Sequence, residues 1–370
     1  MLYTNPNIRD LPTLRETTDI LRDLVVRFPV IHRGPFTPIV NDENLFILTR
    51  TNMMYSIKPN ITRQGAIFGW MNSFDISHPE NFKASIFEGD NPNFLLNNVI
   101  KEDAEILFES HPLYKLLQDG IKLPKLRRPI TVYNPYGVAH AYGLKSTLIS
   151  LTSSLDIAAF HACHRFCPKE NCFIPITDSD KSGLIFIFEL SAPFSMIPNL
   201  STIGMQAFQR PGLNRLFAFQ TNPNTSFCAL PFVKGFQFRH TKESTSYFSN
   251  IFNHGASLIP DELVSHKIGA HLRQNHFSEK AFVRNLHFNP QDNATHNLAK
   301  LKACGYTMDR QYSCVFSPQE LRSIWFDDVE RRWRDFWNDV VTPMLTDEQR
   351  DILLDLPNNS DYRNYFMPEA

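Results

Sequence analysis

At 370 residues the chain can hold one large domain with an extension, or two domains, and its 42% hydrophobic content with 31 Phe excludes a disordered protein. A formal net charge of −1 supplies no global field toward nucleic acid or an acidic membrane surface, so nucleic acid is not an indicated partner. The six cysteines lack regular pairing, the opening MLYTNPNIRDLPTLRE has no unbroken apolar run, and nowhere does an apolar stretch reach about 18 residues, so the expectation is a reduced, cytoplasmic protein without a membrane partner.

In chain order, Thr13-Leu14-Arg15-Glu16 reads as a capping box that opens a helix through Val26, with Pro29 beyond its end. Val30 to Pro35 then reads as a short strand that delivers Arg33 to a Gly34-Pro35 corner. Leu45 to Leu48 is an apolar run, and Tyr55 to Pro59 an extended edge or loop. From Gly69 to Asn97 the composition turns to Asn, Pro, Ser and Asp, which predicts a long loop with at most short elements. Ala104, Leu107 and Phe108 restore helical spacing from Glu102, with a break at Pro112 before Leu116. Lys122 to Arg128 is the densest basic stretch and reads as a solvated loop before a strand at Ile130–Tyr133.

The stretch from His140 to Ala162, HAYGLKSTLISLTSSLDIAAFHA, combines a turn at Tyr142-Gly143, a strand at Leu148–Leu151 and a polar elbow at Thr152-Ser153-Ser154. Asp156 follows in the first turn of a helix kept thin by Ala158, Ala159 and Ala162, where a negative charge suits the helix dipole. Hydroxyls and free N–H groups at such an elbow suit an anion or a ribose; equally, Ser153 and Ser154 act as helix caps. His161, Cys163, His164, Cys167 and Cys172 have poor spacing for zinc, so no metal is expected and the cysteines read as buried thiols beside ordinary histidines.

Gly183 to Leu190 has no polar alternation, as in a strand buried on both faces, and Phe227–Leu230 and Phe236–Arg239 are further strands. After Ser249 helices dominate, with starts at Pro260, Ser278, Asn293 and Ser317-Pro318-Gln319-Glu320. Trp325, Val329, Trp333, Phe336, Trp337 and Val340 mark one apolar stripe, expected to dock the helical part onto the rest. The fold class is therefore α+β: a central mixed β-sheet with flanking helices over residues 1–249, then an α-helical C-terminal region over 250–370 packed on it. No Walker loop, GxGxxG, HExxH or GxSxG occurs. Arg33 at a strand mouth suits bidentate binding of phosphate or carboxylate, and equally a structural ion pair.

Ile31-His32-Arg33-Gly34, the 140–162 block, Gly183 to Phe188, and Gln209-Arg210-Pro211-Gly212 with Phe217 together resemble the FRG domain family, in order and spacing, over residues 10 to 245. That family carries an aromatic-Arg-Gly motif and a central block like Gln-His-Tyr-Gly, Thr-Arg-Leu-Leu-Asp, then Thr-Ser before an alanine-rich helix. Here His32 replaces the aromatic residue, Ala141 the histidine, Thr147 the arginine, Ser150 the aspartate, and Asn214 a later glutamine. The resemblance implies a bacterial protein of mobile-element or phage-defence setting, acting on an unknown macromolecular target. By similarity of pattern to ADP-ribosyltransferases it implies NAD as cofactor, held by Arg33 and oriented by Thr152 and Ser153, with Glu189 or Glu243 as the acidic residue. Gly34, Tyr142, Gly143, Arg210 and Asn214 are the implied ligand-binding residues. The alternative is a non-catalytic sensor for a phage or host factor or nucleic acid, which the changes at Ala141, Thr147 and Ser150 favour.

Overall fold

The run from Gly183 to Leu190 lies in the third strand of a seven-stranded sheet and is paired on both sides, which accounts for its lack of polar alternation. A computed structural model describes residues 8–14, 18, 46–48, 54–56, 65–74, 84–87, 93–111, 114, 116, 118, 121–125, 135–152, 154–177, 182–190, 200–202, 208–222, 233–288, 293–324 and 346–359. In chain order the strands are β1 (Ile8–Thr13), β2 (Phe46–Leu48), β3 (Met54–Ser56), β4 (Gly65–Phe74), β5 (Leu148–Thr152), β6 (His164–Cys167), β7 (Cys172–Pro175), β8 (Ser182–Leu190), β9 (Leu200–Thr202), β10 (Leu216–Gln220), β11 (Val233–Arg239), β12 (His276–Ser278) and β13 (Thr307–Asp309). The helices are α1 (Phe94–Glu109), α2 (Pro135–Ala141), α3 (Leu155–Ala162), α4 (Gln209–Leu213), α5 (Lys242–Ile251), α6 (Leu263–Arg273), α7 (Glu279–Phe288), α8 (Ala294–Ala303), α9 (Pro318–Ile324) and α10 (Asp347–Leu354).

The main sheet runs β1-β11-β8-β4-β5-β10-β9. It is mixed, because β1 lies parallel to β11 while the remaining neighbours are antiparallel. Pro12 sits where the β1 register shifts, the kind of edge irregularity at which a missing N–H is tolerated. With helices on the sheet and a helix-rich segment after residue 250, the fold is α+β.

The expected loop from Gly69 to Asn97 is wrong at both ends. Gly69 to Phe74 belongs to β4, at the centre of the sheet, and Asn93 caps α1 by accepting the Leu96 N–H at 3.0 Å. The glycine disguised the strand. Gly69 stands opposite Phe186, and a Cβ added there would fall inside the Phe186 ring, so the aromatic side chain occupies the space that the glycine leaves. Gly183 opposite Phe238 repeats the device on the next pair of strands.

One core packs α3 against the sheet through Ala158, Ala159, Phe160 and Ala162 on Phe68, Ile185, Ile187, Phe236 and Phe238. The small residues of α3 let its backbone approach closely, as their spacing suggests. A second core gathers Leu107 and Phe108 of α1, Val138 and Ala139 of α2, Tyr142, Phe208, Val264 and Ile268 of α6, Phe316, Ile324 of α9 and Leu353 of α10. Residues beyond 250 therefore share a core with helices that precede the elbow. The Trp325–Val340 stripe lies outside the described residues.

Local start signals held at Ser278, Asn293 and Ser317. The Ser278 hydroxyl accepts from Ala281 N–H at 3.0 Å, Asn293 accepts from His296 at 3.1 Å, and Glu320 receives the Ser317 N–H at 2.7 Å in a capping box. Pro260 misled: α6 begins at Leu263 with Glu262 at its cap position. The helix containing His161 ends at Ala162, and His164 opens β6.

Candidate functional site

The elbow forms where β5 ends at Thr152 and α3 begins. Ser154 is the cap, accepting from Ile157 N–H at 3.4 Å. The Thr152 hydroxyl accepts the Ser154 N–H at 3.2 Å and donates to the Asn214 carbonyl at 2.8 Å, so it is engaged on both sides. Asn214 caps the C-terminus of α4. Its amide donates to the carbonyls of Arg210 at 2.9 Å and Leu258 at 2.8 Å, which leaves Oδ1 facing His161 Nε2 at 2.8 Å. Because Oδ1 can only accept, His161 carries its proton on Nε2. Trp70 of β4 stacks on that imidazole at 4.5 Å, and burial pushes its pKa down to about 3, keeping the ring neutral.

Arg210 lies beside this network. Its guanidinium is 3.7 Å over the Phe166 ring of β6 and 5.5 Å from the Tyr142 ring, and Nη1 reaches Asn171 Oδ1 at 3.4 Å. Burial lowers its pKa to about 10, against the raising effects of Tyr142 and Glu262. The Glu262 carboxylate accepts from the Tyr142 hydroxyl and from the backbone N–H groups of Gln209 and Arg210, each at 3.3 Å. A carboxylate at the start of α4 thus ties α6 to both Tyr142 and α4. Gly143 takes φ +85°, and a side chain there would meet Phe166 and Pro168.

Of the residues named from sequence, Thr152, Tyr142, Gly143, Arg210 and Asn214 come together around α4 and the β6–β7 hairpin. Thr152 is 0%, Asn214 2% and Arg210 4% exposed, so these groups face one another and not solvent. Arg33, Gly34 and Ser153 lie outside the described residues. Glu189 is on β8, paired with Ala66 while Ile187 pairs with Phe68, which in turn pairs with Thr152. Two strands at ~4.8 Å and two residues at ~3.4 Å put its backbone roughly 12 Å from that of Thr152. Glu243 is exposed in the first turn of α5.

Three further groups escaped the sequence reading. His140 of α2 places Nε2 at 2.6 Å from Ser150 Oγ and Nδ1 at 2.9 Å from Ser146 Oγ, and burial pushes its pKa down to about 4. Glu262 carried no local signal, since its partners are distant in the chain. On α1, Glu102, Asp103 and Glu105 are buried: Asp103 accepts from Ser278 N–H at 3.0 Å and Oγ at 2.5 Å, and Arg284 of α7 reaches Glu109 at 2.7 Å and Glu102 at 3.9 Å. Burial, opposed by Lys101 at 3.9 Å, raises Glu105 to about 7.

Not all of the cysteines are the buried thiols expected from their sequence context. Cys163 is buried and its thiol pushed up to about 12 by burial, but Cys167 is half-buried and Cys172 exposed. Among the described residues no three His, Cys, Asp or Glu side chains gather as a metal-ligand set, and no helix is long and apolar enough to cross a membrane. Compared with family models, curated proteins and solved structures, the chain matches none.

Proposed function

We propose that the chain is a recognition module on an FRG-like scaffold, a non-catalytic sensor of a phage or host factor that does not turn over NAD. One observation supports this reading above the others: the hydroxyl of Thr152, the amide of Asn214 and the imidazole of His161 are all engaged with one another or with backbone, in the interior. A group that orients a dinucleotide needs a hydrogen-bonding position directed at it. Here the elbow works as a polar lock that joins β5, α3, α4 and Leu258.

The second reading is NAD transfer in the manner of ADP-ribosyltransferases, with Arg33, Ser153 and Glu189 as the working groups. The strand register favours it to one extent, since the roughly 12 Å between the Thr152 and Glu189 backbones is a span that a dinucleotide bridges. Incubating the purified chain with NAD and following nicotinamide release separates the two. Recognition expects release no faster than in buffer alone. Sustained release that Arg33→Ala abolishes would transfer the assignment to NAD chemistry.

A further inference from the structure

Cys167 and Cys172 are directly opposite residues in the antiparallel β6–β7 hairpin, joined by the loop 168–171. Their class of pairing follows from the ladder. The Ile176 N–H donates to the Cys163 carbonyl at 2.9 Å, and Pro175, opposite His164, has no N–H to exchange. Odd-numbered positions of β6 are therefore the hydrogen-bonded pairs, and Cys167–Cys172 is one of them. Such pairs hold Cα atoms about 5.5 Å apart, inside the ~4.4–6.8 Å range that disulfides occupy. Cβ atoms in hydrogen-bonded pairs stand somewhat wider than the ~3.8 Å of a relaxed disulfide, so the strands must pinch to close the bond, which makes it more readily reduced.

The surroundings give this pair something to control. Pro168 and Phe166 pack on Gly143, Phe166 lies under the Arg210 guanidinium, Asn171 receives Arg210, and Arg273 of α6 donates to the Lys169 carbonyl. The hairpin tip is thus clamped between the elbow network and α6.

We propose that Cys167 and Cys172 form a reversible intramolecular disulfide that locks the hairpin tip against Arg210 and α6. The oxidant is a small disulfide of the glutathione class. The more exposed Cys172, as thiolate, attacks one sulfur and releases one reduced glutathione; Cys167 then attacks the mixed disulfide at Cys172 and releases the second, two protons leaving the two thiols. Burial, and after it the neighbouring Cys167 and Glu170, hold the Cys172 thiol above its ordinary range, so the exchange is slow at neutral pH and is best read at equilibrium.

The test equilibrates the full chain in mixtures of oxidised and reduced glutathione, blocks remaining thiols, and maps peptides by mass spectrometry. The expected product is a monomer with Cys167 linked to Cys172, lighter by two hydrogens, reversed by dithiothreitol, and melting a few degrees higher than the reduced chain. Cys172→Ser should abolish both the link and the melting shift, and Cys304→Ser should keep both. Free thiols throughout, glutathione adducts on each cysteine separately, or a Cys172 link between two chains overturns the proposal. So does a melting shift that survives in Cys172→Ser.

Discussion

Tyr142 and Glu262, 120 residues apart in the chain, meet as a buried phenol donating to a buried carboxylate, and through that contact α6 is fastened to the turn before β5. Removing the hydroxyl takes the phenol donor away from the carboxylate, which keeps the backbone N–H groups of Gln209 and Arg210 at 3.3 Å. Tyr142→Phe keeps the ring in its aromatic cluster with Phe108 and Phe208, so packing is preserved. We expect a loss of about 1–3 kcal/mol in urea unfolding, the cost of a buried charged acceptor losing its partner. An unchanged midpoint would mean that the contact does not fasten α6.

Gly69 is a second point of high sensitivity. A methyl group there competes with the Phe186 ring inside a sheet paired on both sides, where neither strand can retreat. Gly69→Ala should cost about 2–4 kcal/mol through overpacking and displaced aromatics. The double variant Gly69→Ala with Phe186→Leu should recover part of that loss. If the two losses simply add, the ring and the glycine are not coupled.

Glu105 contributes with the opposite sign to most carboxylates. Its pKa is raised from 4.5 in the unfolded chain to about 7 in the folded one, so the folded protein binds the extra proton between those values. Stability is then undiminished below about pH 4.5 and falls as pH rises toward 7. Glu105→Gln removes the penalty. We expect it to stabilise the protein at pH 8 by on the order of 1–3 kcal/mol and to leave stability at pH 4.5 nearly unchanged. Equal effects at both pH values would contradict the burial argument.

His161 and His140 work the other way. Both are held neutral by burial, with pKa values of about 3 and about 4 against 6.5 when unfolded. The unfolded chain gains their protons first, so the stability they confer is complete above pH 6.5 and is lost as pH falls toward those folded values. In a Glu105→Gln background, which removes the compensating trend, unfolding free energy should drop by roughly 3 kcal/mol per histidine between pH 7.5 and 4.5. Urea midpoints across that range measure it, and replacing His140 by Gln should flatten the slope.

What could be read from sequence was what a few adjacent residues decide. β8 declared itself by the run Gly183–Leu190 without polar alternation, and the caps at Ser278, Asn293 and Ser317 by residues within one helical turn. β4 hid because Gly69 and Asn72 serve partners elsewhere: one makes room for Phe186, and the other donates to the carbonyls of Ala162 at 3.1 Å and His164 at 3.0 Å. β1 hid behind Pro12. At the site, Thr152 and Asn214 were legible as polar residues at a strand end and near a helix end, but their mutual engagement was not, since 62 residues separate them. Glu262 and Asp103 take their meaning from contacts that close across as many as 120 and 175 residues.

The parallel pairing of β1 with β11 sets a timetable for the chain as it leaves the ribosome. Ile8 is matched to Gly235, so β1 is made more than two hundred residues before β11, its neighbour among the described residues. At ~5–20 residues per second that is an interval of roughly 10–45 s, during which its unpaired backbone edge is open to other chains. The proline in that strand removes one donor from the open edge, and a bent, short strand is a poor template for a passing partner. Among the described residues the last long strand to be synthesised is therefore the one that joins β1 to the sheet, and a nascent chain released before residue 233 leaves β1 unpaired and one edge of β8 open.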